Sequence, residues 1–214
     1  MELQELKKVA LIVAHPDDET LWAGGTMLSE SSWQCFVVCL CRKNDKDRAP
    51  KFYKALSVLG ASGTMGDLND GPEQQPLPEN EVKQAILQLI PDIHFDLIIT
   101  HNPDGEYTRH LRHEEVSKAV INLWDEGELT TNELWTFAYE DGDKAYLPKA
   151  EIQATSFWHL PKKLWDLKYR IITQTYGFDK SSWEAKTTPG DEAFWHFSNT
   201  QQAKKWLAKK RITS

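Results

Sequence analysis

The chain has few of the features that mark membrane or nucleic-acid-binding proteins. No apolar run approaches the ~20 residues that a membrane-spanning helix needs. The formal charge is −7, from 25 Lys and Arg against 32 Asp and Glu, and no basic stripe stands out against that balance. We therefore expect neither a membrane span nor a nucleic-acid partner.

Cysteine is also scarce, with three residues in 214. Cys35, Cys39 and Cys41 have the same parity in one predicted strand, so they share a face and cannot readily be bridged to one another. An odd count argues further against a disulfide framework. The first residues, 1–5, lack the basic start and apolar core of a signal peptide. We expect core thiols in a reducing cytoplasm.

The remaining composition is that of a globular protein, with 40% hydrophobic residues and nine Trp. The length fits one domain with a full hydrophobic core, 1–214. Over residues 1–140, continuous apolar runs alternate with amphipathic segments, which predicts a mostly parallel sheet covered on both faces. Predicted strands cover 9–14, 35–41, 64–68, 95–100 and 134–139, and predicted helices cover 20–30, 47–59, 79–90, 113–125 and 161–176. Residues 141–214 are expected to form a C-terminal appendage, for which walling a pocket is one role.

The most informative segment is His15-Pro16-Asp17-Asp18-Glu19, directly after the first predicted strand. In doubly wound sheets, ligands bind where the strands end. Residues three apart on a tight turn share a face, so His15 and Asp18 can offer a ring nitrogen and a carboxylate oxygen to one metal ion. Asp17 points elsewhere, where it can take a proton from the metal's water. The alternative is that Asp17 or Asp18 only caps the next helix and that His15 is an ordinary loop residue.

A second histidine pair, His110 and His113, follows the fourth predicted strand. In a three-layer, Rossmann-like doubly wound sheet of order 3-2-1-4-5, strands one and four are neighbours at the switch point. That topology brings His15 and Asp18 together with His110 or His113. Three protein ligands with an open fourth position define a hydrolytic zinc site. The histidine left off the metal can stabilise a developing oxyanion.

Other polar residues are expected near the same crevice. Arg48 precedes the second predicted helix, and Asp70 follows the third predicted strand. His101, at the end of the fourth strand, is either a crevice residue or a packing residue. Glu19 is expected to support the helix start or a ligand rather than to bind metal. The remaining histidines are expected on the surface or in packing: His94, His159 and His196.

These motifs resemble those of the LmbE-like deacetylases, also called the PIG-L family. Its members are zinc-dependent enzymes that remove acetyl from N-acetylglucosamine-type sugars. The resemblance rests on the segment 14–19, on His110-Leu111-Arg112-His113, and on the progression from Arg48 through Leu59-Gly60 to Asp70-Gly71. It extends over residues 7–140.

The resemblance implies a role for each motif residue. It makes His15, Asp18 and His113 the metal ligands. Asp17 would be the general base, and His110 would steady the oxyanion or protonate the leaving amine. It also implies that Arg48 and Asp70 contact sugar hydroxyls.

Three positions depart from the family pattern. The second motif usually reads His-Pro-Asp-His, whereas Leu111 and Arg112 fill its middle here. Lys51 stands where an acidic residue is common, and the tail after residue 140 shows no match. Because every ligand is retained, the resemblance still implies an intact metal site, with an altered local charge.

The implied function is a zinc-dependent hydrolase that removes acetyl from an N-acetylglucosamine-type sugar or glycoconjugate. It would work through zinc-bound water with Asp17 as the general base, and ferrous iron is an alternative occupant of the same ligands. We expect a small-molecule amino-sugar substrate and a cytoplasmic location, and leave open whether the chain forms an oligomer.

There are four alternatives to this function. A metal-dependent amidase on another N-acyl conjugate would use the same residues, and a non-catalytic sugar-binding protein would use the same fold. A nucleotide-binding module would need a Gly-x-Gly-x-x-Gly turn after the first strand, where His15–Glu19 stands instead. A non-haem iron facial triad, also built from two histidines and a carboxylate, usually has His-x-Asp spacing on an all-β fold. Here the spacing is His-x-x-Asp on an α/β pattern.

Overall fold

The computed structural model describes residues 6–210, so residues 1–5, on which the signal-peptide expectation depends, lie outside the described residues. The strands are β1 (Lys7–Val13), β2 (Trp33–Cys41), β3 (Ser62–Leu68), β4 (Phe95–Thr100), β5 (Thr131–Phe137), β6 (Tyr139–Glu140), β7 (Lys149–Ala150), β8 (Ser156–His159) and β9 (Asp191–Phe197). The helices are α1 (Asp18–Ser29), α2 (Arg48–Leu59), α3 (Glu79–Leu89), α4 (Leu111–Glu126), α5 (Lys162–Arg170), α6 (Trp183–Thr187) and α7 (Thr200–Lys210). A π-helical turn, Ile171–Thr175, directly follows α5.

The central sheet has seven strands in the order β3-β2-β1-β4-β5-β9-β8. Its first five strands are parallel, which confirms the predicted α/β class and the order 3-2-1-4-5. The last two, β9 and β8, are antiparallel additions on the β5 side. The segment after residue 140 was expected to form an appendage, but its strands β9 and β8 extend the sheet itself.

Both faces of the parallel sheet are buried, which explains why its strands are continuously apolar. Along β1, Val9, Leu11 and Val13 pack on the side of α1, α2 and the π-helical turn. Ala10 and Ile12 pack on the side of α3, α4 and α7. Within residues 6–210, no helix combines the length and the apolarity needed to cross a membrane.

The register of the sheet determines where the two polar loops begin. β1 pairs in parallel with β4, and Ile12 lies opposite Thr100. The chain therefore leaves both strands at the same edge of the sheet, at Ala14 and His101. The loops that carry the two histidine motifs start side by side.

A buried ion pair joins the C-terminal part to α1. Glu192 on β9 and Lys168 on α5 are both fully buried, and the Lys168 Nζ atom lies 2.7 Å from Oε1 of Glu192. Burial lowers the pKa of Lys168, although the Glu192 carboxylate opposes that shift. The same carboxylate accepts hydrogen bonds from the backbone N–H groups of Gly25 and Thr26, each at 2.7 Å. The helix that begins at Asp18 is therefore held from the opposite end of the sequence.

We expect the Glu192→Ala substitution to lower the free energy of unfolding by about 3–5 kcal/mol, since it leaves a buried ammonium without a counterion. Urea-induced unfolding monitored by circular dichroism measures this loss. The control is Asp166→Ala, which removes the exposed pair between Lys162 and Asp166, with side chains 84% and 42% exposed. That pair should contribute less than ~1 kcal/mol. Equal losses in the two variants would contradict the structural role of Glu192.

Candidate active site

The turn between β1 and α1 presents its carboxylates to the interior. Asp17 is the N-cap residue of α1, but its side chain makes no capping hydrogen bond. Its φ of 128° is a strained backbone conformation for a residue other than glycine. Asp17 is buried, with 5% of its surface exposed. Its carboxylate does not cap the helix, which was the alternative role expected from the sequence.

Glu19 supports this strained turn through hydrogen bonds. Its Oε2 atom accepts a hydrogen bond from the backbone N–H of Asp17 at 3.1 Å. Its Oε1 atom accepts from the hydroxyls of Thr20 and Tyr176, at 2.6 and 2.7 Å. Burial raises the pKa of Glu19, although these hydrogen bonds oppose that shift. Glu19 therefore acts on the turn, and its second support, Tyr176, comes from the C-terminal third.

Three side-chain atoms from the two loops form a small triangle. The Nδ1 atom of His15 lies 3.3 Å from Oδ2 of Asp18 and 3.2 Å from Nε2 of His113. The third side, from Oδ2 of Asp18 to Nε2 of His113, measures 3.4 Å. Donors at about 2.0–2.2 Å from a tetrahedral metal ion are themselves about 3.3–3.6 Å apart. The donor types and their spacing fit a divalent metal.

The Asp18 carboxylate is ionised in this setting. Burial would raise its pKa, but the imidazoles of His113 and His101 hold that pKa well below its usual range. Its Oδ1 atom accepts from the indole N–H of Trp22 at 3.1 Å, and its Oδ2 atom accepts from the backbone N–H of His15 at 2.8 Å. The carboxylate is thus oriented before any metal arrives.

Two residues beside the triangle form a fully buried network. His101, which the sequence left undecided, accepts the backbone N–H of Ala14 on its Nε2 atom at 3.0 Å. Its Nδ1 atom lies 2.9 Å from Oε2 of Glu106, and Nδ1 of His113 lies 2.6 Å from the same oxygen. The other oxygen of Glu106 accepts the backbone N–H of Asn102 at 2.9 Å. Sequence reasoning missed Glu106, because an acidic residue after an Asp-Gly turn ordinarily faces solvent.

Other groupings of donor atoms are also close enough for a metal. One joins Asp18, His101 and His113, and the other joins His15, His110 and His113. In the first, both nitrogens of His101 are already engaged, one by a backbone N–H and one by a carboxylate. The second lacks a carboxylate. The triangle of His15, Asp18 and His113 combines one anionic ligand with two imidazoles, and it does not need His101, whose two nitrogens are engaged.

His110 lies next to this triangle. Its ring centroid is 4.6 Å from that of His15 and 4.3 Å from that of His113. Burial, with the neighbouring His113 and His15, lowers the pKa of His110 to about 3. Its Nδ1 atom is buried without a hydrogen-bond partner. A neutral ring still carries one N–H, so His110 can donate a hydrogen bond to a group bound in the site.

Arg48 reaches the site through Asp17. Its Nη2 atom donates to the carbonyl of Pro16 at 3.1 Å and to Oδ2 of Asp17 at 3.3 Å. The guanidinium carbon lies 4.7 Å from the ring centroid of Phe178. Burial raises the pKa of Asp17 well above its usual range, although the Arg48 guanidinium opposes that shift. Arg48 therefore contacts the expected base directly.

Asp70 is brought to His15. Its Oδ1 atom lies 3.2 Å from Nε2 of His15, the ring nitrogen that faces away from the triangle. Gln74 donates to Oδ1 at 2.8 Å, and Arg42 pairs with Oδ2 at 2.5 Å. Burial would raise the pKa of Asp70, but these partners hold it well below its usual range. The carboxylate sits at the site, with its main contacts to protein groups.

Arg112, which departs from the usual second motif of the family, leaves the triangle intact. The side chain is 1% exposed and points away, donating to the carbonyl of Gln75 at 3.0 Å and to the carboxylate of Glu115. Its charge is paired locally. The two histidines on either side of the departure, His110 and His113, keep their places in the site.

The sequence profile of one protein family, described as PIG-L: GlcNAc-PI de-N-acetylase, matches residues 10–124. That segment is more than half of the chain and contains both histidine motifs. The chain belongs to the PIG-L family. This confirms the resemblance on which the roles above were based, while the roles themselves remain predictions.

Two curated relatives are similar over part of their length. The uncharacterized protein L374 of Acanthamoeba polyphaga mimivirus is 22% identical over an alignment of 146 residues, which covers 61% of this chain and 61% of that protein. The 1D-myo-inositol 2-acetamido-2-deoxy-alpha-D-glucopyranoside deacetylase of Corynebacterium diphtheriae is 25% identical over an alignment of 156 residues, which covers 55% of this chain and 53% of that protein. The chain therefore spans less than two thirds of the length of both relatives.

Solved structures share the fold at low identity. The N,N'-diacetylchitobiose deacetylase from Pyrococcus horikoshii is 16% identical, with a TM-score of 0.67 over 91% of this chain and 85% of that one. The 4-carboxy-2-hydroxymuconate hydratase from Pseudomonas putida is 18% identical, with a TM-score of 0.59 over 85% and 83%. A deacetylase and a hydratase thus have the same architecture, so the fold does not decide the reaction.

Proposed function

We propose that this PIG-L family chain is a zinc-dependent deacetylase that hydrolyses the acetamide of an N-acetylglucosamine-type sugar or conjugate. The observation that carries the proposal is the triangle of His15, Asp18 and His113 donor atoms, with Asp17 and His110 beside it. Relatives described as deacetylases of acetamido sugars support this substrate class. Ferrous iron is an alternative occupant of the same donor set.

Each residue of the site has a distinct task in this proposal. Zinc, when bound by the triangle, would acidify a water molecule and polarise the acetamide carbonyl. Asp17 accepts the proton of the attacking water, and the Arg48 contact orients its carboxylate. His110 donates a hydrogen bond to the oxygen of the tetrahedral intermediate. The proton held by Asp17 is then available to the departing amine, so the products are acetate and a free amino sugar.

The C-terminal third supplies part of the surroundings of the site, and we propose that it acts with the core as one domain. Trp183 is 37% exposed, and its ring centroid lies 4.7 Å from that of Tyr107. Tyr107 in turn lies 5.5 Å from His113 and 5.6 Å from His110 by ring centroids. An exposed indole this close to the proposed catalytic groups offers an apolar face to the sugar ring. We infer that Trp183 forms one wall of the substrate pocket.

The location that we propose is the cytoplasm. All three cysteines, Cys35, Cys39 and Cys41, are buried as free thiols. Burial raises the pKa of Cys35 to about 12, so this thiol is unreactive. Such unpaired core thiols are typical of proteins from reducing compartments.

The Asp17→Asn substitution should lower kcat by about 10²–10⁴-fold while leaving zinc affinity unchanged, because it removes a proton acceptor and no ligand. The measurement is release of primary amine from a panel of N-acetylglucosamine conjugates, using metal-stripped protein with and without one equivalent of zinc. The control is Asp47→Asn, whose side chain is 70% exposed near the start of α2. An Asp17→Asn variant with full activity would refute the assignment of the base. Tight zinc binding without amine release from any conjugate would refute the deacetylase.

The Trp183→Ala substitution should raise KM about 5–10-fold and change kcat by less than about threefold, since a stacking wall binds substrate and transition state alike. Steady-state kinetics on the best conjugate of the panel measure both constants. The matched control is Phe157→Ala, an aromatic on β8 with 38% exposure. A fall in kcat at constant KM would place Trp183 outside the substrate wall.

A further inference from the structure

We propose that Glu106 is the positioning residue of this site, fixing the proton of His113 on Nδ1 and thereby presenting the free Nε2 lone pair to the metal. The inference rests on the proposed function only in taking the triangle to be a metal site. Nothing in the family match or in the resemblance assigns a role to Glu106. The evidence is a series of buried hydrogen bonds in which each donor or acceptor is determined by the one before it.

This series of hydrogen bonds begins at a group that can only be a donor. The backbone N–H of Ala14 can only donate, so the Nε2 atom of His101 at 3.0 Å must be its acceptor. A neutral imidazole with an accepting Nε2 carries its proton on Nδ1. The Nδ1 atom of His101 therefore donates to Oε2 of Glu106 at 2.9 Å.

The carboxylate of Glu106 then determines the state of His113. An ionised carboxylate can only accept, and Nδ1 of His113 lies 2.6 Å from its Oε2 atom, so that nitrogen carries a proton. Both oxygens of Glu106 are already placed as acceptors, Oε1 from the backbone N–H of Asn102 at 2.9 Å and Oε2 from His101 at 2.9 Å, which is the environment of an ionised carboxylate. A histidine binds a metal ion through a neutral ring, and with the proton on Nδ1 the lone pair of that ring is on Nε2, the atom that His113 contributes to the triangle.

The network also fixes the plane of the ring. The rings of His101 and His113 are stacked, with centroids 3.9 Å apart and an interplanar angle of 20°. Glu106, His101 and His113 are all fully buried, so water does not compete for these hydrogen bonds. The anchor of this series, Ala14, precedes the ligand His15 by one residue. Glu106 therefore positions the ligand of one loop relative to the ligands of the other.

The test compares the zinc affinity of the wild type with that of Glu106→Gln, by competition with a chromogenic chelator and without substrate. Glutamine replaces one acceptor oxygen by a donor NH₂, which must face either the two imidazole N–H groups or the N–H of Asn102. We expect zinc affinity to fall 10–100-fold, as is typical when the partner of a metal-bound histidine is lost. Zinc affinity within twofold of the wild type would overturn the proposal.

The matched control is Glu192→Gln, the same chemical change at a carboxylate that is equally buried. It should lower stability but leave zinc affinity within twofold of the wild type. If both variants lose zinc affinity in proportion to lost stability, Glu106 is merely structural and the proposal is overturned.

A second measurement does not depend on a variant that folds. Long-range ¹⁵N spectra of the imidazoles, recorded on the zinc-loaded wild type, should show His113 with a hydrogen-bonded proton on Nδ1 and the metal on Nε2. Zinc on Nδ1 of His113 would overturn the proposal.

The outcomes separate this inference from the proposed function. A protein that needs Glu106 to bind zinc but releases no amine would refute the deacetylase and support the role of Glu106. An active Glu106→Gln variant with unchanged zinc affinity would support the deacetylase and overturn the role of Glu106.

Discussion

The parallel pairing of β1 with β4 is the constraint on which the site depends. It places Ile12 opposite Thr100, so two loops that are far apart in sequence begin side by side at one edge of the sheet. The hydrogen bond from the Ala14 backbone to His101 continues that pairing beyond the strands, from one loop to the other. Donor atoms from both loops then come within 3.2–3.4 Å of one another. A shift of one residue in this register would turn the loop residues to the opposite face and separate them.

The fold could be predicted from the sequence because burial of a parallel sheet on both faces requires continuous apolar strands. β1 and β4 have that pattern, and the loops after them contain the clustered histidines and carboxylates. β9 was not predicted, because Asp191, Glu192 and His196 leave it only a short apolar run. Glu106 was missed for another reason: the burial of a loop carboxylate depends on partners that only the tertiary structure supplies. Asp70 was expected near the site, but its contacts with His15 and Arg42, which join three separate loops, depend in the same way on the tertiary structure.

The site is built from two parts of the chain, the segment that matches the family and the C-terminal third. Every proposed metal ligand, with Asp17 and His110, lies within the matched segment 10–124. Tyr176, which supports the turn through Glu19, and Trp183, beside Tyr107, come from beyond it. The buried pair of Lys168 and Glu192 fastens this part to α1. In the proposed mechanism the matched segment supplies the reacting groups, and the later segment supports the turn through Tyr176 and places Trp183 beside Tyr107.

The most direct test of the central claim is the position of the metal. A crystal of the zinc-loaded protein, measured on both sides of the zinc absorption edge, gives that position from the anomalous difference map. We expect one peak bonded to Nδ1 of His15, Oδ2 of Asp18 and Nε2 of His113, with His101 and His110 off the metal. Zinc on His101, or a peak away from this triangle, would contradict the metal centre and the chemistry that we derive from it.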